Sequence, residues 1–139
     1  MATWILFALL SALTAGLVAI FGKLGVSTVD STLATTVRAV VMAVFLVIVS
    51  FTLGKAKLLS TIDAKALLFI ILAGVAGALS WLCYFFALKF GPAPGVAALD
   101  RLSVVFVLVF SILLLGQKFS LVTAAGALLL TAGAILMTL

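Results

Sequence analysis

The chain contains no histidine and no glutamate, and its acids are three aspartates, Asp30, Asp63 and Asp100, in 139 residues. An enzyme needs a metal site, a catalytic dyad or an activated nucleophile. With one aspartate inside the apolar part of the chain, a metal site or carboxylate pair could arise only across a dimer. No enzyme, catalytic residue, metal or cofactor is expected. Cys83 is the single cysteine, so an intrachain disulfide is excluded; it sits in a long apolar run, where a lone cysteine is a packing residue. The glycine-containing stretches lack the G-x-x-x-x-G-K-[ST] spacing of an ATP-binding loop. Charge is also scarce: 8% of residues carry one, against about 25% in soluble domains.

What fills the chain instead is apolar. Hydrophobic residues make up 68% of it and the mean hydropathy is +1.60, a composition that water could not hide in so small a fold. A hydrocarbon core of about 30 Å needs roughly 20 apolar residues per helical crossing. Five such runs fit, near Ala2–Phe21, Leu33–Leu53, Ala66–Leu88, Gly95–Leu115 and Leu121–Leu139. The expected fold is all-α, an integral membrane bundle of five transmembrane helices with its termini on opposite faces. The breaks carry turn and charge signals: Gly22–Gly25 with Asp30, Gly54–Lys57 with Asp63 and Lys65, Lys89–Pro94, and Gly116–Lys118. Their shortness makes successive helices antiparallel neighbours. Continuous Leu, Ala and Val runs argue against alternating barrel strands. Met1-Ala2-Thr3 lacks a positive leader, so the first span is expected to be a retained helix rather than a signal peptide, with Trp4 as an interfacial anchor.

The net charge of +5 is read against a membrane, and no nucleic-acid partner is expected. Lys55, Lys57, Lys65 and Lys118 fall on the side of the N-terminus; Lys23 and Lys89 fall on the other, joined by Arg38 and Arg101 if span ends are counted. The positive-inside rule then favours a cytoplasmic N-terminus only slightly. A chain so nearly balanced is a candidate for insertion in both orientations.

Charges within spans are costly and normally face the bundle interior, which singles out Arg38, Asp100 and Arg101. Arg38 and Asp100 each lie about 8 Å below the start of their helices, at 1.5 Å per residue, in the same leaflet. Two readings follow: a structural ion pair with Arg101 snorkelling to the surface, or a substrate or proton site in which Asp100 binds a cation or takes up a proton. Helical spacing supplies the surroundings. Ala93, Ala97, Asp100, Val104, Val107 and Ser111 form one stripe of the fourth span, with Ser103 at its edge. Ser11, Thr14, Ala15, Val18 and Gly22 form a small, weakly polar stripe of the first. In the third, Gly74, Gly77 and Ala78 permit close helix contact, followed by Trp81, Tyr84 and Phe85. Trp81 and Tyr84 are either interfacial belt residues or pocket lining, since their polar atoms want partners when buried. The candidate substrate- or proton-binding residues are thus Asp100, Arg38, Trp81, Tyr84, Ser11, Thr14 and Ser103.

Three segments carry a family resemblance. Ala87–Leu99, ALKFGPAPGVAAL, resembles the A-L-x-x-G-P-A-x-x-V-A segment of EamA domains in the drug/metabolite transporter superfamily. Leu113–Ser120 is similar to the family's L-x-L-G-E-x-x, with Gln117 where glutamate is usual, and Gly126–Gly133 to its final G-x-x-L-I-x-x-G helix. Arg38 matches a frequent family arginine. The resemblance covers essentially the whole chain and implies a single EamA-like transmembrane domain over 1–139. Family members typically enclose a substrate path between two such domains of inverted topology. It therefore implies a half-size secondary transporter for a small metabolite or drug-like solute, multi-pass in the plasma (bacterial inner) membrane. The second half would be an oppositely inserted copy, as an antiparallel homodimer, or a second EamA subunit. A non-transporting assembly subunit or a passive pore is the alternative.

Overall fold

The structure, a computed structural model, describes residues 3–118 and 120–139. The leader at Met1, the expected start of the first span at Ala2, and Phe119 of the Leu113–Ser120 segment lie outside them. Among the described residues the fold is helical, with no strand: α1 (Thr3–Val26), α2 (Ser31–Thr52), a 3₁₀ helix (Lys55–Thr61), α3 (Ala64–Phe90), α4 (Ala93–Asp100), α5 (Ser103–Leu115) and α6 (Leu121–Leu136). Thr3–Val26, Ser31–Thr52, Ala64–Phe90 and Ala93–Leu115 are long and apolar enough to cross a membrane, and α6 is a shorter apolar helix of 16 residues. The expected membrane helical bundle is therefore the observed class, with five apolar passages in the expected order.

Burial shows why lipid is the solvent. Across its 27 residues α3 buries Phe85 and Leu88, while Phe69, Ile70 and Leu79 stand more than half exposed. Side chains this apolar are stable facing hydrocarbon, where the helix satisfies its own backbone hydrogen bonds.

Three boundaries depart from expectation. Helix α1 runs through Gly22-Lys23-Leu24-Gly25 to Val26, because glycine is tolerated in membrane helices and Lys23 extends from the last turn to donate its Nζ to the Gly91 carbonyl at 2.9 Å. The loop expected at Gly54–Lys57 is instead a sharp turn, Gly54 at φ 66°, followed by the 3₁₀ helix. The fourth span, expected as one helix, is two.

The chain divides into two compact units, one of residues 25–89 and one of residues 1–24 and 90–139. In the first, Asp30 caps α2, accepting from the backbone N–H groups of Thr32 at 2.9 Å and Leu33 at 3.1 Å, as an aspartate ahead of an apolar helical run should. In the second, α6 packs against both α4 and α5. Gly95 sits in that contact: a Cβ there would lie 3.5 Å from the Met137 carbonyl oxygen. Gly116, at φ 61°, ends α5 in a left-handed turn that suits glycine.

The cap makes a pH prediction. The N–H of Leu33, then that of Thr32 and the charge of Lys89, hold the Asp30 carboxyl below its ordinary value. A depressed acid stabilises the fold above its unfolded pKa of about 3.9, and that contribution is lost as pH falls through the folded value. The protection factors of the Thr32 and Leu33 amides, their slowing relative to the intrinsic rate, should fall in that acid window. Asp30→Asn, which keeps a good cap, should remove the pH dependence; an unchanged profile in the variant would refute the assignment.

Candidate functional site

Arg38, Trp81 and Tyr84 belong to the unit of residues 25–89; Ser11, Thr14, Asp100 and Ser103 belong to the other. Each group has its own geometry.

In the first unit, α2 and α3 bring Arg38 and Trp81 together across 43 positions of sequence. The guanidinium carbon of Arg38 lies 3.6 Å from the centroid of the Trp81 ring and 5.6 Å from that of Phe85. Trp81 meets Tyr84 edge-on at 5.3 Å and Phe85 at 5.9 Å. An indole face is the best aromatic partner for a cation, and helical spacing delivers the other two rings at i+3 and i+4 from Trp81. Trp81 is thus the seat of a cation. The unit's own acids stand elsewhere: Asp30 caps α2 two turns before Arg38, and Asp63 precedes α3 about 25 Å from Trp81 along the helix. The N–H donors of a guanidinium lie in its own plane, so an arginine held over a ring keeps a flat fork of donors that matches a planar acceptor such as a carboxylate. Nearby, Thr35 is buried and donates its hydroxyl to the Ser31 carbonyl at 2.7 Å, so it serves the helix. Cys83 is exposed, facing away from any core packing role.

In the second unit the fourth passage breaks at Asp100. The Arg101 N–H donates to the Ala98 carbonyl at 3.1 Å, Leu102 to Leu99 at 2.9 Å and Val104 to Arg101 at 3.1 Å. These are i→i+3 bonds, the tighter 3₁₀ pattern. In a continuous helix Arg101 would bond Ala97, and Val104 would bond Asp100. Both carbonyls are thereby released from their usual donors. The break follows the seventh residue after the start of α4, about 10 Å along the passage. Asp100, the last residue of α4, is half-buried; Arg101 and Ser103 are exposed. The single stripe expected from Ala93 to Ser111 therefore changes register after Asp100, and α5 presents its own face.

Helix α1 lines an almost wholly apolar groove of about 390 Å³ against α4, formed by Leu13, Gly16, Leu17 and Ile20 with Ala93 and Ala97. Ser11 and Thr14 are exposed and stand outside that lining. The Thr14 hydroxyl donates to the carbonyls of Leu10 and Ser11, each at 3.0 Å. The residues that sequence reasoning missed at this site are Leu102, where the helix breaks with no glycine or proline to signal it, and Lys23, whose reach to Gly91 ties the end of α1 to the loop before α4.

Among the described residues, four helices long and apolar enough to cross a membrane, with a fifth shorter apolar helix, define a multi-pass helical membrane protein. The chain belongs to the EamA-like transporter family, whose family profile matches residues 2–139. It is 42% identical over 135 residues to an uncharacterized transporter in the cobO 3' region of a Sinorhizobium species, covering 97% of this chain and 96% of that protein. No solved structure shows significant similarity to it.

Proposed function

We propose that the chain is a secondary-active transporter, not an enzyme, which moves a small metabolite or drug-like solute across the plasma (bacterial inner) membrane. The observation that carries this reading is the break at Asp100–Leu102. Irregular backbone at membrane depth is tolerated where it is enclosed by protein or lines a water-filled cavity, and interrupted helices of this kind mark substrate and ion sites in secondary transporters. Asp100 supplies the charge that alternates with coupling. Arg38, mounted on Trp81 with Tyr84 beside it, supplies a fixed cation toward solute. Ser103, Ser11 and Thr14 are the weaker polar groups of the same proposal.

The working unit we infer is an antiparallel homodimer. A relative of nearly the same length carries the name of transporter, the family pattern pairs two inverted halves, and the basic residues are nearly balanced between the two expected faces once Arg38 and Arg101 are counted. A second EamA subunit is the other partner that would complete the pair.

Flux tests the function. Purified protein in liposomes with an imposed pH gradient should move solutes from a metabolite and drug panel only while the gradient lasts, with matching proton movement reported by an interior dye. Gradient-independent leak of the whole panel would mean a passive pore. Assembly has its own test: cysteines at Lys23 and Lys55, in a Cys83→Ala background, should crosslink one site to the other between subunits. Crosslinks joining only identical positions would establish a parallel dimer instead.

A further inference from the structure

The segment between α2 and α3 carries a feature that transport leaves unassigned. Gly54 turns the chain out of α2, and Lys55–Thr61 follows as a 3₁₀ helix. At three residues per turn its side chains fall on three edges. Two of them, Lys55/Leu58/Thr61 and Ala56/Leu59, continued by Ile62, line a groove of about 470 Å³. Its other wall is the end of α2, from Leu46 and Val47 to Ser50 and Phe51. The third edge, Lys57 and Ser60 continuing to Asp63, is polar throughout and lines none of it. A short element with apolar edges on one side and a charged edge on the other lies along the membrane–water interface. The groove opens outward: Leu59 is 70% exposed and Phe51 69%.

We propose that this groove holds one anionic phospholipid, with an acyl chain along Leu46, Phe51 and Leu59 and the phosphate at Lys55. The occupant follows from charge and depth. Between positions 55 and 65, Lys55, Lys57 and Lys65 outnumber the single acid Asp63, and lysines at a membrane surface attract anionic headgroups. The apolar wall runs from Phe51 back to Leu46, about 8 Å toward the hydrocarbon, so the lysine sits at headgroup level where an acyl chain begins. A zwitterionic lipid would fill the same groove without using the charge. A second copy would bring another basic loop against this one, and like charges oppose that seating.

The experiment is native mass spectrometry of the purified protein after equilibration with mixed micelles of phosphatidylglycerol and phosphatidylcholine. One phosphatidylglycerol per chain should be retained in preference to phosphatidylcholine. The double variant K55Q/K57Q should weaken that retention about 25-fold, at about fivefold per lysine. Leu59→Trp, which keeps every lysine and puts a bulky ring across the acyl path, should sharply reduce it. Equal retention of the two lipids overturns the proposal. So does retention unaffected by Leu59→Trp in protein that keeps its helical circular dichroism, since attraction would then need no groove. Should Leu59→Trp fail to fold, the double lysine variant decides alone, unchanged retention being the overturning result. A Leu59→Cys, Cys83→Ala chain that forms disulfide dimers in the bilayer would give the groove to a second copy, and also overturns it.

Discussion

Asp100→Asn is expected to reduce gradient-driven transport to background while leaving folded protein in the membrane. The argument starts from cost. A carboxylate inside a span is disfavoured by several kcal/mol unless it is paired, hydrated or protonated, and Asp100 stands at the one place where the fourth passage loses its α-helical bonding. A proton-coupled cycle needs an acid inside a span that can exchange a proton, and Asp100 is the acid placed there. Asparagine holds the shape and hydrogen bonding of the neutral acid but can never release a proton, so the cycle stops in one state. Flux and stability must be measured together. If Asp100 is a structural ion partner, its loss strands the opposite charge, and breaking a buried pair costs about 3–5 kcal/mol. A variant that unfolds makes Asp100 scaffold; one that transports normally removes it from coupling; one that is folded and inactive supports the proposal.

The second large effect is expected at Arg38. Its guanidinium lies 3.6 Å from the Trp81 ring centroid, a separation at which ring and cation are in direct contact. A cation–π contact contributes about 0.5–2 kcal/mol, more as water is excluded from it. Trp81→Leu keeps an apolar side chain but removes that face, and Arg38→Met keeps the stem but removes the charge. Reversible unfolding in detergent should show the two single losses to be non-additive, with a coupling energy of about 1–2 kcal/mol in the double variant. Additive losses would mean that ring and cation act separately. Transport should respond to both substitutions, since a released Arg38 no longer holds its donors in a fixed plane. Trp81→Phe should restore much of the stability, phenylalanine being a weaker but usable ring.

The bundle was legible because hydropathy acts over twenty residues at a time and depends little on detail. The five passages and the polar candidates within spans came from that signal, and the break at Gly116–Lys118 from its glycine and charge. Pairing was not. Matched depth placed Trp81 among the surroundings of Arg38 and Asp100, but nothing in a single sequence gives direct contact of that ring with the guanidinium across 43 positions. The break after Asp100 was invisible for a different reason: residues 98–104 contain neither glycine nor proline, and the usual sequence mark of an interruption is missing. The Asp30 cap is written in Asp30-Ser31-Thr32-Leu33, but in sequence the same residue reads equally as an ordinary loop charge. At Gly54–Lys57 the turn was foreseen, while the 3₁₀ helix after it depends on how Leu58 and Leu59 seat against α2.

The lengths of α3 and α6 have a consequence for the surrounding bilayer. At 1.5 Å per residue, the 27 residues of α3 span about 40 Å and the 16 of α6 about 24 Å. Hydrocarbon averaging about 30 Å is too thin for the first and too thick for the second. The long helix can tilt; the short one can be met by a thinner bilayer, by flanking residues reaching to the interface or by association, at a fraction of a kcal/mol per Å of mismatch. Where the bilayer thins, the α6 flank would carry the pinched annulus. Two molecules that bring those flanks together share one deformation in place of two, so bilayer thickness becomes a control on how often they meet, and short-chain lipids should loosen the association.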